Sequence, residues 1–239
     1  MKILSITTSH RMCGCAVSNG ERILGEIIFT GDRRCVEELT ERIEGLLRDC
    51  KLRPEDLGGI AVDIGPGMFT GLKIGIVTAK TYAQVLNLPM VGISSFTILA
   101  EGVPSEYPCV ATIIHSSRDE FYFALFRRTG VVLEGAEPGS VLTAHGIKNR
   151  LLSAQEKIYV TGGGAQILRQ ELPAERLILT EPQNCSPNAA NLCRLAFRMF
   201  KAGQGVPYQD IVPLYIWLTN AERNLAKKDG RSETIEMKK

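Results

Sequence analysis

A two-domain α/β protein built from a repeated βββαβαβα unit is the architecture this sequence predicts, and three observations carry it. Apolar segments at Lys2–Thr8, Met12–Ser18 and Arg22–Thr30 open the chain as three strands, and segments at Cys109–Ile114, Glu120–Arg127 and from Val131 to Leu133 open its second half in the same way. Each triplet is followed by a stretch of helical periodicity and then by apolar runs that alternate with further helical patterns. A glycine-rich turn follows the corresponding strand of each half, from Gly65 to Gly75 and at Gly162-Gly163-Gly164.

In the first half, Asn19-Gly20 is a two-residue hairpin signal between the second and third strands. From Cys35 to Lys51 the apolar positions Val36, Leu39, Ile43, Leu46, Leu47 and Cys50 recur at helical spacing, with Glu37, Glu38, Glu41, Arg42, Glu44, Arg48 and Asp49 on other faces. That pattern is an amphipathic helix. A turn through Pro54-Glu55-Asp56 leads to a strand ending at Ile64, the glycine loop, a helix to about Leu86, a strand Pro89–Ile93 and a helix Ser95–Gly102 capped by Ser94 or Ser95. In the second half, Thr129-Gly130 turns the chain. Helix Ala144–Ala154, strand Lys157–Thr161, a short helix to Glu171, strand Arg176–Leu179 and helix Asn188–Ala202 complete the unit.

Two such units in tandem are the arrangement of the actin-like ATPase (ASKHA) fold, a pair of RNase-H-like domains. The element order puts a first domain in residues 1–104 and a second, smaller one in 105–207, with the segment 208–239 packing back on the first. Trp217 reads as a packing anchor. The last 21 residues, with six Lys or Arg against four Asp or Glu, read as a solvated tail.

At 239 residues the chain can bury about 70% or more of its unfolded surface. A 44% hydrophobic and 23% charged composition is that of an ordinary globular protein, and a net charge of +2 gives no global pull towards nucleic acid or membrane. The short apolar N-terminus does not resemble a signal peptide and no 18-residue apolar window occurs, so a cytoplasmic location is expected. Seven cysteines without a CxxC pair read as reduced, mostly buried thiols, with Cys13 and Cys15 on one face of a strand. His10, His115 and His145 have no ligand-like spacing with one another, which argues against a metal site.

The chain is organised around Gly65-Pro66-Gly67-Met68-Phe69-Thr70-Gly71-Leu72-Lys73-Ile74-Gly75. Pro66 fixes its own φ, and the glycines permit positive φ or close backbone approach, so the loop is shaped. Thr70 is placed to cap the following helix. One reading is an anion cradle at that helix N-terminus, although neither the Walker A pattern nor the dinucleotide fingerprint fits; the other is a tight strand-to-helix connection against a neighbour.

The chemistry of phosphoryl transfer needs a carboxylate at the end of the first strand, where this chain has Thr7-Thr8-Ser9. Gly162-Gly163-Gly164 sits where such folds contact adenosine, or is a plain helix-leading turn. Ser116, Ser117, Arg118, Asp119 and Glu120 near His115 are ordinary hairpin residues, and no catalytic triad is assigned. On the helix after the glycine loop, apolar residues surround most of the circumference, and Gly75, Ala79 and Ala83 form a small-residue stripe. Such a helix either packs against a second helix, from this chain or another, or is buried within its own domain.

The eleven residues from Gly65 to Gly75 resemble the GPGSFTGLRIG signature of the TsaB (YeaZ) family, non-catalytic partners of the bacterial tRNA threonylcarbamoyl transferase. Similarity continues through Ile3–Ser9, Gly92–Ser95, Glu120–Phe126 and Pro213–Ile216, covering nearly the whole chain. The resemblance implies a scaffold that does no chemistry and binds no cofactor alone, while its complex uses ATP and threonylcarbamoyl-adenylate to modify the adenosine beside the anticodon. It implies as partners the catalytic (TsaD-like) subunit, a small P-loop ATPase (TsaE-like) and, through them, tRNA, with a homodimer when the chain is isolated. It places the partner interface at Cys35, Leu39, Phe69, Thr70, Leu72, Lys73, Gly75, Ile76, Ala79, Lys80 and Ala83. The chain departs from the family at Thr7, where Asp is usual, at Cys35, where His is usual, and at His115-Ser116-Ser117, where Asp-Ala-Arg is usual. The rival reading is an actin-like-fold enzyme, a small-molecule kinase or ATPase or a metalloprotease-like glycoprotease.

Overall fold

The computed structural model describes residues 1–31, 35–117, 119–130, 132–153, 156–172 and 177–216. The first unit contains β1 (Lys2–Thr7), β2 (Met12–Asn19), β3 (Arg22–Thr30), α1 (Cys35–Asp49), β4 (Gly59–Asp63), α2 (Phe69–Leu86), β5 (Met90–Ile93) and α3 (Ser95–Glu101). The second contains β6 (Cys109–Ser117), β7 (Glu120–Thr129), β8 (Val132–Thr143), α4 (Ala144–Leu152), β9 (Ile158–Thr161), α5 (Gly163–Ile167), β10 (Leu177–Leu179) and α6 (Ala189–Lys201). The sheets run β3-β2-β1-β4-β5 and β10-β9-β6-β7-β8. Read from the third strand of each unit, the two orders are the same, so the duplication inferred from element order is a duplication of topology.

Local chemistry sets the elements. The β2–β3 loop is Gly20-Glu21, with Asn19 paired to Arg22 and Gly20 at φ +64° in the first loop position. A glycine there matches the twist of a right-handed hairpin, so the turn lies one residue later than Asn19-Gly20. Ser94 accepts a hydrogen bond from the Thr97 N–H and caps α3. Helix α2 starts at Phe69 with Met68 as N-cap and no side-chain cap, so Thr70 lies inside the helix rather than ahead of it. Asn87, in the left-handed region at φ 51°, ends it.

Alternation along β1 sends Leu4 and Ile6 to one face, with Leu39 and Ile43 of α1 and Leu72 and Ile76 of α2. Ile3 goes to the other face, with Ala189, Leu192, Cys193 and Ala196 of α6. The element order alone had placed α6 in a second domain of residues 105–207; instead it covers the first sheet. Its apolar residues at i, i+3, i+4 and i+7 match that sheet, Ser5 Oγ donates to the Ala189 carbonyl at 2.7 Å, and Glu26 Oε1 accepts from the Ala190 N–H at 2.9 Å. Conversely, Phe96, Leu99, Ala100 and Val103, on α3 and just beyond it, pack against Val110, Ile114, Ala124 and Phe126 of the second sheet. The final helices of the two units are exchanged, so the boundary at residues 104 and 105 is crossed by packing in both directions.

The segment after α6 returns to the first unit. Met90 and Val206 exchange backbone hydrogen bonds at 2.8 Å, Ile211 enters the first core, and the Leu214 N–H donates to the Ile64 carbonyl. Trp217 and the tail to Lys239 lie outside the described residues, as do Arg118, Arg176 and the side chains of Cys35 and Ser117. Cys13, Cys15, Cys109, Cys185 and Cys193 are buried free thiols, and burial pushes Cys15 up to about 12.

Candidate functional site

The glycine loop is packed against the end of β1 so closely that side chains are excluded. A Cβ on Gly67 would lie 2.2 Å from the Ser9 carbonyl oxygen, one on Gly71 2.1 Å from that of Thr8, and one on Gly75 2.2 Å from Thr8 Oγ1. Gly65 is at φ +99° and the Gly65–Pro66 peptide is cis. The Met68 N–H donates to the Ser9 carbonyl at 2.6 Å, and Thr8 Oγ1 donates to the Gly71 carbonyl at 2.7 Å. The chain's own strand end therefore fills the place beside the loop where an anion cradle was one expectation. Close approach is what these glycines permit.

Behind the loop is a carboxylate that the sequence reading passed over. Asp63, at the end of β4, is 2% exposed. Its Oδ1 accepts from Ser95 Oγ at 2.7 Å and from the Gly65 N–H at 2.9 Å; its Oδ2 accepts from Thr7 Oγ1 at 3.0 Å and from Ser9 Oγ. Four donors compensate the burial of one charged group. Ser9 Oγ also meets His10 Nδ1 at 2.7 Å, and His10 Nε2 is buried without a partner. Since Ser9 gives its proton to Asp63, Nδ1 is assigned as the protonated nitrogen. Burial holds the His10 pKa below the usual histidine range, against the opposing pull of Asp63. The signal for Asp63 was a lone acid closing the apolar run Ile60-Ala61-Val62, immediately before the glycine loop.

Helix α2 has two unlike faces. Leu72, Gly75, Ile76, Ala79 and Ala83 are buried, as is Leu39 of α1, so the small-residue stripe is seated on the chain's own first unit. Phe69, Thr70 and Lys73 are exposed and Lys80 is half-buried. The Lys73 ammonium lies 4.0 Å from the Phe69 ring centroid, a cation–π contact, and Phe69 stands 6.0 Å from Tyr215. Val77 is 63% and Val85 77% exposed, and neither was among the expected interface positions. They border a groove of about 460 Å³ between the two helices, lined by Thr40, Glu44, Pro54, Glu55, Val77, Thr78, Thr81, Tyr82, Val85 and Leu86. The spacing of Lys73, Val77, Thr81 and Gln84 along the solvent side could have revealed this stripe.

A second depression, about 290 Å³, lies between the first-sheet ends and the start of α6, lined by Thr7, Met12, Cys13, Gly14, Asn184, Asn188 and Asn191 among others. Gly162, Gly163 and Gly164 do not line it. Gly162, at φ +100°, lets β9 turn into α5 against Ile113, whose carbonyl oxygen would lie 2.3 Å from an added Cβ. Among the described residues no helix is long and apolar enough to cross a membrane.

Two units of one topology, with exchanged final helices, define a protein of the actin-like ATPase fold. Residues 22–183 match the family described as "TsaD: tRNA N6-adenosine threonylcarbamoyltransferase", and the chain belongs to it. It is 26% identical to the tRNA threonylcarbamoyladenosine biosynthesis protein TsaB of Bacillus subtilis (strain 168), with 93% of this chain and 96% of that protein covered. The TsaB of Escherichia coli (strain K12) is likewise 26% identical, over 96% of this chain and all of that protein. The solved structure of YeaZ from Pseudomonas aeruginosa superposes with a TM-score of 0.79 at 23% identity, covering 90% of this chain and 99% of that one, a likeness of fold.

Proposed function

We propose that the chain is a non-catalytic scaffold and activator subunit in the biosynthesis of tRNA threonylcarbamoyladenosine. It acts by docking the α1–α2 face onto the matching helices of the catalytic transferase subunit. The observation that carries the reading is the solvent side of α2, where Val77 and Val85 stand exposed beside an apolar groove while the opposite side is fully packed. Covering each valine would contribute roughly 1–2 kcal/mol. A helix-bundle interface there would bury about 1,200–2,000 Å² in total. The biosynthetic role comes from the names of the relatives, and the family match supports the transferase as partner.

On this reading the chain binds no cofactor by itself, and ATP and threonylcarbamoyl-adenylate are handled by the complex, which also includes a small P-loop ATPase and receives tRNA. The same face forms a homodimer when the partner is absent. The rival, an actin-like kinase or a metalloprotease, requires ATP turnover or metal-dependent cleavage by the purified chain. Asp63, the acid at the strand ends, is engaged by four internal donors, which favours the scaffold.

Isothermal titration of the chain with the transferase subunit tests the proposal. Val77→Asp is expected to weaken binding by about 100-fold or more, since it buries an unpaired charge, while circular dichroism and the unfolding midpoint stay unchanged. Retained affinity in that variant would contradict the assignment of the face.

A further inference from the structure

We infer that Asp63 is a positioning residue for the docking face, an inference that rests on the docking reading above. The carboxylate touches no exposed position of α2, yet the hydrogen bonds that tie the loop and the first turn of that helix to the end of β1 lead back to it. One route runs through the loop itself: Oδ1 takes the Gly65 N–H at 2.9 Å, two residues past Asp63. Another runs through β1: Oδ2 takes the hydroxyls of Thr7 and Ser9, and the Ser9 carbonyl accepts from the N–H of Met68, the N-cap of α2. Thr8, held between those two residues, donates to Gly71 in the first turn.

A third route reaches the other unit. Ser95, the first residue of α3, donates its hydroxyl to Oδ1 at 2.7 Å and its N–H to the Gly65 carbonyl at 2.7 Å. Phe96, Leu99 and Ala100 of α3 are packed on the second sheet. One buried group thus sets the loop that leads into α2 and the start of the helix on which the second sheet rests. It fixes the angle at which the docking face is presented relative to the second unit. A neutral amide at this position fills the same space but puts an NH2 where Oδ2 accepts two hydroxyls, so Thr7 and Ser9 must turn from donors to acceptors and their own protons lose the carboxylate as partner.

The test measures the dissociation constant for the transferase subunit and the unfolding midpoint of the full chain for Asp63→Asn, with Val62→Ala on the same strand as a control for general destabilisation. Asp63→Asn is expected to weaken binding at least 10-fold, and Val62→Ala to lower the midpoint without weakening binding more than about 2-fold. Unchanged binding in Asp63→Asn, or a loss equal to that of a Val62→Ala variant with the same midpoint, would overturn the inference. Should Asp63→Asn fail to fold, Ser95→Ala removes one donor and keeps the carboxylate; it is expected to weaken binding about 3-fold, and an unchanged constant counts against the inference. Val77→Asp is measured alongside. If it binds like wild type, the docking reading fails and takes this inference with it. If it is weakened while Asp63→Asn is not, only the role of Asp63 is lost.

Discussion

The two units solve the same turn differently. After β4 and after β9 the chain bends through a glycine at nearly the same backbone angle, φ +99° at Gly65 and φ +100° at Gly162, with the first turn pressed against Thr8 and Ser9 just beyond β1 and the second against Ile113 of β6. Beyond the turn they part. Helix α2 runs 18 residues and α5 only 5; likewise α1 runs 15 residues and its counterpart α4 only 9. The first unit carries a buried polar network at the turn, whereas the second packs Gly162 against Ile113 and Gly164 against Ile113 and Phe121. A duplicated fold thus keeps one copy minimal and extends the other into a helical surface, with a carboxylate at its base.

The comparison is broken most severely on the exposed helix faces. Val77→Asp on α2 is expected to weaken association by about 100-fold or more, whereas Ile167→Asp, at a 57% exposed apolar position at the end of α5, is expected to change it less than 2-fold. Sedimentation velocity with the transferase subunit distinguishes the two, and equal losses would remove the asymmetry between the units.

The glycines sharpen it next. Gly71→Ala places a methyl 2.1 Å from the Thr8 carbonyl oxygen and is expected to cost roughly 3 kcal/mol of stability. Gly163→Ala meets nothing within 4 Å and lies outside the positive-φ region, so it is expected to stabilise the chain by about 0.5 kcal/mol. Urea unfolding measures both.

Stability also depends on pH. His10 is held neutral by burial, so its folded-state pKa lies below its unfolded value and the unfolded chain binds the extra proton. Its contribution is complete above about pH 6.5 and is lost as pH falls below that value, with a slope of at most about 1.4 kcal/mol per pH unit. His10→Asn is expected to flatten the fall in stability between pH 6.5 and 5.5, read by urea titrations at each pH.

The duplicated order of strands and helices was legible in the sequence because both units alternate apolar runs with turn residues at the right spacings. Domain membership was not. Helix α6 follows β10 in the chain but its apolar stripe matches the outer face of β1, and chain order carries no record of which sheet a helix will cover. The docking helix was legible as far as its length and its glycines. Its facing was not, because apolar residues occur all round it, and the small residues Gly75, Ala79 and Ala83 serve close approach to the chain's own strand end as readily as to a partner. Leu39, Leu72 and Ile76 are core residues, and Phe69, Thr70 and Lys73 are the expected interface positions that are exposed. Asp63 was not legible because the acid of this fold is expected at the end of β1, whereas parallel pairing brings the end of β4 beside it, with the Thr7 hydroxyl 3.0 Å from Asp63.

The central claim, that the extended helical face of the first unit serves tRNA modification by docking a partner, is tested most directly in cells from which the gene for this chain has been deleted. Threonylcarbamoyladenosine in their bulk tRNA is quantified by mass spectrometry after complementation. The wild-type chain and Ile167→Asp are expected to restore the modified nucleoside fully, and Val77→Asp, present at equal abundance, to restore little of it. Full restoration by Val77→Asp, or none by the wild-type chain, would contradict the account.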